Sequence, residues 1–483
     1  MPCSRQPQRW LVLVLVAAAC LVTVGTAHAQ PQPQHAEKPP GVFQKAPGHS
    51  LTVRVLTFGP GDHPFFKFGH NSIWIHDAAA PSQKMRDRVY NYGTFGFESW
   101  KVIPQFFFGR FRYWLSVQGW ESTLRYYRTN NRTVAWQELD LEPERRALLR
   151  DLLEENLKGD NIYYKYDYYR DNCSTRVRDI IDKVTDDEIL ARYRADPASV
   201  PELLGSPAHG RLREAVTGEG SMTYRAHTLR LTHSLAVEYV VLDVVLGPLV
   251  DRPITLWEET FLPEKLADLL SLAKVVGPDG TERPLVKGER TEFTARRPAA
   301  LAEPPNWLPW YGLFGLYQGA LFVALCNVGR GRLRKDGTPR ALTTGQRIGR
   351  ILASIYLGLQ GFVAGFLGVF YILVWIFTDH EVGYANWNML LLAPWLIALP
   401  FFSVGLARGR VRTTRRIYKL LLAALVACGL GLVLKVIPWF RQDNFRLMAY
   451  ALPVWGLAAF GVRRLLTAAE AREAAAAKAP VER

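Results

Sequence analysis

The hydrophobic pattern divides the chain into two unlike parts. Up to Pro305, short stretches alternate between apolar and polar residues, whereas long apolar segments follow one another after Trp307. The lengths of these segments bracket the roughly 20 residues that a helix needs to cross the apolar core of a bilayer. The pattern predicts five membrane-spanning helices, at Leu308–Cys326, Ile351–Phe377, Met389–Ala407, Ile417–Ile437 and Phe445–Val462.

Period-two alternation predicts β-strands at the beginning of the first part. Leu51–Leu56 and Phe68–His76 alternate on either side of a glycine- and proline-rich turn, and Arg88–Gly93 is a third short candidate. Because side chains of a strand alternate between two faces, one face of the second strand carries His70, Ser72, Trp74 and His76. Leucines at helical spacing instead predict a helix over Pro143–Leu157.

A second helix is predicted directly after Cys173. Its buried stripe consists of Val177, Ile180, Ile181 and Val184, and either Asp171 or Asn172 can cap its start. The partial positive charge and free amides of a helix N-terminus favour a thiolate over a thiol. The other four cysteines lie in the N-terminal stretch or in apolar segments, so we expect none of them to pair with Cys173.

Four further segments complete the first part. Phe106–Trp114 mixes aromatic residues with arginines, which suits either a surface at the lipid headgroups or a core strand with arginines at its edge. Ala226–Leu246 indicates one or two buried helices, and Trp257–Leu272 is amphipathic. Gly277–Pro298 is typical of a small polar hairpin or a linker.

The N-terminus indicates export. Arg5 and Arg9 precede the apolar run Leu11–Val24, and small residues flank His28, as in a signal peptide over residues 1–29; an uncleaved anchor is the alternative. The proline- and glutamine-rich stretch 30–48 is a flexible lead-in. We therefore divide the remainder into an exported domain (49–305), a five-helix transmembrane domain (306–466) and a cytoplasmic tail (467–483).

The charge distribution orients the spans. Of the formal net charge of +15, most belongs to two loops: 329–350 has seven basic residues against one Asp, and 408–419 has six with no acid. The positive-inside rule places both loops in the cytoplasm, so the first part lies outside, in agreement with the signal peptide. The basic excess is explained by topology, which disfavours nucleic-acid binding. The oligomeric state stays open.

The chemistry of the exported domain depends on Cys173 and His70. A cysteine at a helix start and a histidine on a strand can form a nucleophile and base, in which the imidazole takes the thiol proton and returns it to a leaving group. A buried structural thiol is the alternative. Asp379, His380 and Glu381 are adjacent in a loop and do not converge as metal ligands do, so we predict neither a metal nor a cofactor.

Two motifs resemble a known fold. Phe68–Ile75 and Asp171–Asp179 look like the strand histidine and the helix-start Asn-Cys of circularly permuted papain-like proteins, such as lecithin retinol acyltransferase. The closer resemblance is to the Lnb-type lipoprotein N-acyltransferase family, which joins such an NlpC-like periplasmic domain to C-terminal membrane helices. Tyr90–Phe95, Asn131-Arg132, Thr378–Glu381 and Asn386–Asn388 agree with it. The resemblance implies an α+β exported domain followed by an all-α membrane domain.

The resemblance also implies a reaction. Cys173 would attack an acyl ester, with His70 as base, and the thioester would pass its acyl group to the N-terminal amine of a diacylglyceryl-cysteine lipoprotein. The group that orients His70 is Asn91 or His76, and we prefer Asn91 because it lies on the following strand. Lipoprotein and phospholipid are the implied partners, in the bacterial inner membrane. As substrate contacts we expect Asn172, Arg176, Trp74 and Tyr92, although Arg176 is equally suited to solvent or to a helix cap.

Two other functions fit the same residues. A papain-like cysteine peptidase or amidase that cleaves cell-wall peptide would use Cys173 and His70 in the same roles, but would not need five spans. A non-enzymatic membrane protein with an exported binding domain predicts that Cys173 can be replaced freely. The residues do not choose between a lipoprotein chain and a phospholipid as acyl donor.

Overall fold

The computed structural model describes residues 48–96, 102–189, 222–331, 333–334, 338 and 340–478. The predicted signal peptide and nearly all of the lead-in lie outside these residues. The described chain forms two units, a domain of sheet and helices followed by a bundle of long apolar helices.

A seven-stranded antiparallel sheet is the framework of the first unit. Its order is β6–β4–β3–β2–β1–β5–β9, with β1 Leu51–Phe58, β2 His70–Asp77, β3 Asp87–Thr94, β4 Arg112–Gly119, β5 Val134–Leu139, β6 Tyr163–Lys165 and β9 Val286–Phe293. The three strands predicted from alternation are confirmed as β1, β2 and β3. A separate hairpin pairs β7 (Lys274–Val276) with β8 (Glu282–Pro284).

Residues 277–298 do more than form the predicted hairpin or linker. They contain β8 and then β9, and β9 pairs with β5 inside the large sheet. The segment is polar because β9 borders the sheet and exposes much of its surface, so its sequence lacks the buried alternation of β1 to β3.

The two faces of the sheet are covered by different helices. The helices of this unit are α1 Gln83–Arg86, α2 Val102–Phe107, α3 Trp120–Thr129, α4 Pro143–Asn156, α5 Cys173–Val184, α6 Tyr224–Thr232, α7 Ala236–Val245, α8 Leu256–Glu259 and α9 Pro263–Leu272. Ile73 and Tyr90 share a core with Val177 of α5. Trp74 and Val89 point to the opposite side, towards α3. Because successive side chains of a strand point to opposite faces of the sheet, each face has its own hydrophobic core.

The aromatic segment before β4 combines the two expected environments. Phe107 and Phe108 are exposed, whereas Phe111 and Tyr113 are buried in the core that includes Cys173. The one or two buried helices predicted over Ala226–Leu246 are two, α6 and α7; α6 is buried as expected, whereas α7 exposes Val237, Val240 and Val241.

The second unit has four helices that are long and apolar enough to cross a membrane. They are α10 (Leu308–Gly329), α11 (Thr344–Phe377), α13 (Val411–Val433) and α14 (Phe445–Lys478). The predicted span Met389–Ala407 is not one straight helix. It belongs to a pair of segments, Glu381–Leu390 and Pro394–Ala407, bent by 68° and ending in α12 (Leu399–Ala407). The count is therefore four, or five if the bent pair is one span.

The bend has a local cause. Pro394 begins the second segment and Pro400 follows within it, and neither can donate a backbone hydrogen bond to a continuous helix. A side chain on Gly365 or Gly368 of α11 would collide with the backbone of this segment. The glycines therefore let the broken segment pack directly on α11.

The two ends of the bundle differ as the charge pattern predicts. At one end, Arg472 of α14 donates to the backbone O of Arg340 (2.6 Å), and Arg415 pairs with Glu470 (2.7 Å), which brings both basic loops together. The sheet domain contacts the other end, where Asp379 N donates to Phe108 O (2.8 Å). The described residues thus form a sheet-and-helix domain above a helical part; the permuted papain-like topology stays a prediction.

Candidate active site

Cys173 is the first residue of α5, and its position depends on how that helix begins. The Asn172 side chain accepts hydrogen bonds from the backbone N–H groups of Ser174 (2.8 Å) and Thr175 (2.9 Å). In return, the Thr175 hydroxyl accepts one from the backbone N–H of Asn172 (2.8 Å), completing a capping box. The predicted helix start is confirmed, with Asn172 as the cap.

The start of α5 is joined to the start of β2. The Ser174 hydroxyl donates to Oδ1 of Asn71 (2.7 Å) and lies 2.6 Å from the carbonyl O of Thr260. The backbone N–H of Asn71 also donates to the Cys173 thiol. Since Asn71 follows His70 directly, these contacts bring Cys173 to the end of the strand where His70 lies.

His70 opens strand β2 and is linked to Asn91 on the neighbouring strand. The two side chains are hydrogen-bonded, and the Ser72 hydroxyl donates to Oδ1 of the same Asn91. On the other side, the His70 ring stacks on Phe58 with 5.9 Å between ring centroids. The imidazole is thus held between an amide and an aromatic ring.

The geometry separates the two candidates for orienting His70. Asn91 contacts His70, whereas His76 lies near the opposite end of β2, with Nδ1 2.8 Å from Oδ1 of Asp87. This placement favours Asn91, and its catalytic role stays a prediction.

Gly93 allows Cys173 to approach strand β3. This glycine has φ +83°, and a Cβ on it would lie 3.3 Å from Cβ of Cys173 and 3.5 Å from Cε2 of Tyr166. A side chain here would be strained by the backbone and crowded against the cysteine. Cys173 therefore lies beside β3 as well as β2, with Tyr166 as a near neighbour.

Cys173 and His70 are both neutral at rest. Burial raises the pKa of the Cys173 thiol, although backbone hydrogen bonds from Asn71 and Ser174 and the charge of Arg132 pull it down. Burial lowers the pKa of His70 to about 3, with Arg132 adding to the shift and the Asn91 hydrogen bond opposing it. The thiolate expected at the helix start is thus outweighed by burial. The thiol and the imidazole are therefore both neutral, and a neutral imidazole is free to accept a proton.

Arg132 is a buried cation that sequence reasoning did not assign to the site. Its side chain is 2% exposed, and its Nε donates to the carbonyl O of Gly59 (2.9 Å). The guanidinium lies over the rings of Phe66 (4.8 Å) and Tyr127 (4.7 Å). Within the described part of the chain, its buried Nη2 has no hydrogen-bond partner. An unpaired donor on a buried cation can attract an anionic group.

The charge of Arg132 reaches both reactive side chains. It lowers the pKa of Cys173 and that of His70, so it favours thiolate and neutral imidazole together. The only sequence feature that pointed to Arg132 was the pair Asn131-Arg132, which we used only as part of the family resemblance. A single arginine in a polar stretch does not reveal that it is buried.

Two of the expected substrate contacts, Asn172 and Arg176, already bind protein groups at the start of α5. Besides its capping bonds, Asn172 donates through Nδ2 to the backbone O of Tyr168 (3.0 Å) and of Phe261 (2.9 Å). Arg176 forms a two-pronged ion pair with Asp171, in which Nη2 lies 2.7 Å from Oδ2. Both side chains support the position of Cys173, and contact with a substrate stays a prediction.

The other two expected contacts, Trp74 and Tyr92, are buried on opposite faces of the sheet. Trp74 stacks on Trp120 (4.2 Å between centroids) and donates through Nε1 to Asp87 (3.0 Å). The Tyr92 hydroxyl accepts from Nδ2 of Asn156 (2.6 Å). Neither side chain lines the cleft between the sheet domain and the helical part, and their role in substrate binding stays a prediction.

A cleft lies between the sheet domain and the helical part, and Cys173 and His70 lie behind its wall and do not line it. It has a volume of about 160 Å³, and Tyr166, the neighbour of Cys173 across Gly93, forms part of its wall. The lining is mixed aromatic and charged: Phe106, Gly109, Phe111, Tyr113, Lys165, Tyr166, Asp167, Tyr168, Asp379, His380, Glu381 and Val382.

One wall of the cleft is the loop that follows α11. Asp379 pairs with Lys165 (3.1 Å), Glu381 pairs with Arg170 (3.3 Å), and His380 Nε2 donates to the backbone O of Phe106 (2.9 Å). The loop thus contacts the sheet domain.

The fold and the site define a class: a membrane protein whose sheet domain presents a buried helix-start cysteine next to its apolar helices. Residues 41–205 match the family model described as the Lnb N-terminal periplasmic domain. The chain therefore carries this domain, which confirms the resemblance to the Lnb-type family and makes the sheet domain periplasmic. No curated protein and no solved structure matches the chain.

Proposed function

We propose that this protein is an inner-membrane lipoprotein N-acyltransferase of bacteria. It would move a fatty acyl group through a thioester on Cys173 to the N-terminal amine of a diacylglyceryl-cysteine lipoprotein. The observation that carries the proposal is the match to the Lnb periplasmic domain over the segment that contains Cys173 and His70. The hydrogen bonds that place Cys173 against the start of β2 support it.

The first half-reaction would form the acyl-enzyme. The sulfur of Cys173 attacks the carbonyl carbon of an acyl ester while His70 takes the thiol proton, because both groups begin neutral. The carbon–oxygen bond of the ester then breaks, and His70 returns the proton to the leaving alcohol. The backbone N–H of Cys173, which the Asn172 cap does not use, is suited to stabilise the oxyanion at the start of α5.

The second half-reaction would consume the thioester. The lipoprotein amine attacks the carbonyl carbon and His70 accepts a proton from the nitrogen. The carbon–sulfur bond then breaks while His70 returns the proton to the sulfur, which leaves an amide and the free thiol. Asn91 would keep the imidazole oriented through both steps, as its hydrogen bond to His70 suggests.

The position of the cleft favours a lipid substrate over a soluble peptide. Its walls come from the sheet domain and from the loop at the outer end of α11, so it opens where a bilayer surface would lie. Phe107 and Phe108 are exposed in the same region. Aromatic residues of this kind favour the membrane–water interface.

The proposal is tested by mass spectrometry of lipoprotein N-termini from cells, which reports whether they are N-acylated. Cys173→Ala and His70→Ala should abolish N-acylation, whereas Cys428→Ala and His76→Ala should preserve it. With labelled lipid, the wild-type protein should hold a thioester that neutral hydroxylamine cleaves. A lyso-lipoprotein product would identify the lipoprotein as donor, and a triacyl product a phospholipid. Unchanged acylation in the Cys173→Ala variant would refute the proposal, and release of cell-wall peptides would favour a hydrolase.

A further inference from the structure

Helix α7 exposes a stripe of apolar side chains on the surface of the protein. Val237, Val240 and Val241 are 71%, 37% and 49% exposed, and Leu235 before the helix is 40% exposed. Their spacing puts the three valines on one face of the helix. A contiguous apolar patch of this kind on a protein surface indicates contact with another apolar phase.

The opposite face of α7 is attached to the outer ends of the membrane helices. The Tyr239 ring stacks on Trp307, directly before α10, with 4.7 Å between centroids. Asp243 pairs with Arg446 in the first turn of α14 (2.8 Å). These contacts set α7 at the level where α10 and α14 begin.

The stripe continues into the apolar core of the bundle. Val244, one turn beyond Val240 and Val241, is buried in the same cluster as Phe322 of α10 and Tyr371 of α11. The apolar surface of α7 is therefore continuous with the surface that the membrane helices bury among themselves.

The membrane helices expose apolar residues at the same level. Near its start, α10 leaves Trp310 and Leu313 68% and 57% exposed. On a spanning helix such residues face lipid, and tryptophan is enriched at the height of the headgroups. The depth of α7 therefore coincides with the outer interface of the bilayer.

We propose that α7 lies in the plane of the outer leaflet, with Val237, Val240 and Val241 inserted at the boundary of headgroups and acyl chains. A helix with one apolar face and one face bound to protein is stable in that position. The segment before α7 is also linked to the candidate active site. Lys67, in the loop before His70, donates to Ser234, which lies just before α7 (3.0 Å). The anchored helix fixes the height of the site above the lipid. The inference does not depend on acyl transfer.

The test measures how deeply α7 is immersed. Nitroxide labels on Val237→Cys and, separately, on Val241→Cys are compared with Leu148→Cys on α4, which is also apolar and 46% exposed. The full-length variants are reconstituted in vesicles of phosphatidylethanolamine and phosphatidylglycerol, and the unsubstituted protein supplies the background of its native cysteines. Collision rates with oxygen, which concentrates in lipid, and with a water-soluble nickel chelate are measured for each label.

At both valine positions, the ratio of the oxygen collision rate to the nickel collision rate should be several-fold higher than the same ratio at Leu148→Cys. Nickel access at both valines equal to that at Leu148→Cys would overturn the proposal. Spin–spin broadening that disappears on dilution with unlabelled protein would also overturn it, because a second copy would then cover the stripe. The two exposed positions are labelled in separate variants. If one variant does not fold, the other still tests the proposal.

Discussion

The Ser174 hydroxyl lies 2.7 Å from Oδ1 of Asn71, so the residue after Cys173 is bonded to the residue after His70. Two positions far apart in the chain are thereby held at one place, by side chains that need not take part in any reaction. The bond explains how a helix start and a strand start, each set by local sequence, come to share a site.

Ser174→Ala should destabilise the protein. The hydroxyl is fully buried, and its loss leaves Asn71 Oδ1 and the Thr260 carbonyl without this donor, which costs about 1–3 kcal/mol for buried groups. The melting temperature in detergent micelles reports the change. Ser122→Ala, which removes an exposed hydroxyl bonded to Gly119 O, should have almost no effect. Equal shifts in the two variants would contradict the structural role of Ser174.

Asn91→Ala should slow acyl transfer by roughly tenfold to a hundredfold, since a misplaced base loses much of the benefit of orientation. The turnover number should fall while the KM for lipid stays nearly constant, because Asn91 contacts His70. Asn156→Ala is the control, as it removes a half-buried amide bonded to Tyr92 instead. A rate in Asn91→Ala equal to that of the control would show that His70 is oriented by another group.

The pH dependence of stability should reveal the buried state of His70. Its pKa is about 3 in the folded protein against 6.5 ordinarily, so in acid the unfolded chain binds a proton that the folded protein does not. The free energy of unfolding therefore decreases as pH falls from 6.5 towards 3. Melting temperatures of the wild type and His70→Gln between about pH 7 and pH 4 isolate this contribution. Parallel curves would mean that His70 titrates normally in the folded state.

Asp243 should be essential for holding the periplasmic domain on the helices. Its side chain is 3% exposed and pairs with Arg446 (2.8 Å) and, more distantly, with Arg225 (3.6 Å). Asp243→Ala removes a buried carboxylate, but Arg225 keeps Asp251 and Arg446 keeps Asp443, so the cost should stay below the roughly 3–5 kcal/mol of a buried pair that loses its only partner. Asp443→Ala removes a half-exposed partner of the same Arg446 and should cost at most about 1 kcal/mol. Thermal unfolding and limited proteolysis between the two units would distinguish them.

The orientation of the bundle is testable with two matched arginines. Arg340→Cys lies among the basic loops, and Arg441→Cys lies at the end that faces the sheet domain. A membrane-impermeant maleimide added to spheroplasts should label Arg441→Cys and spare Arg340→Cys until the membrane is permeabilised. Labelling of Arg340→Cys in intact spheroplasts would reverse the topology.

Several features were predictable because they depend on neighbours in the chain. Alternation identified β1 to β3, and the stripe from Val177 to Val184 together with a capping residue identified α5. The match to the Lnb domain likewise follows from contiguous motifs. The apolar segment after residue 389 was recognised as membrane-compatible. Its bend was not, because Pro394 and Pro400 weaken a helix locally, whereas the packing of the broken segment on the glycines of α11 is a tertiary contact.

The sequence by itself determined the two-part organisation, the asymmetry of charge between the ends of the bundle, and the places of Cys173 at a helix start and His70 on a strand. The tertiary structure alone decided that Asn91 reaches His70 and His76 does not, that β9 joins the sheet, and that Arg132 is buried with an unpaired donor. The reason is physical. Periodicity, caps and loop charges act over a few residues, whereas burial and hydrogen bonding at the site depend on side chains brought together from distant parts of the chain.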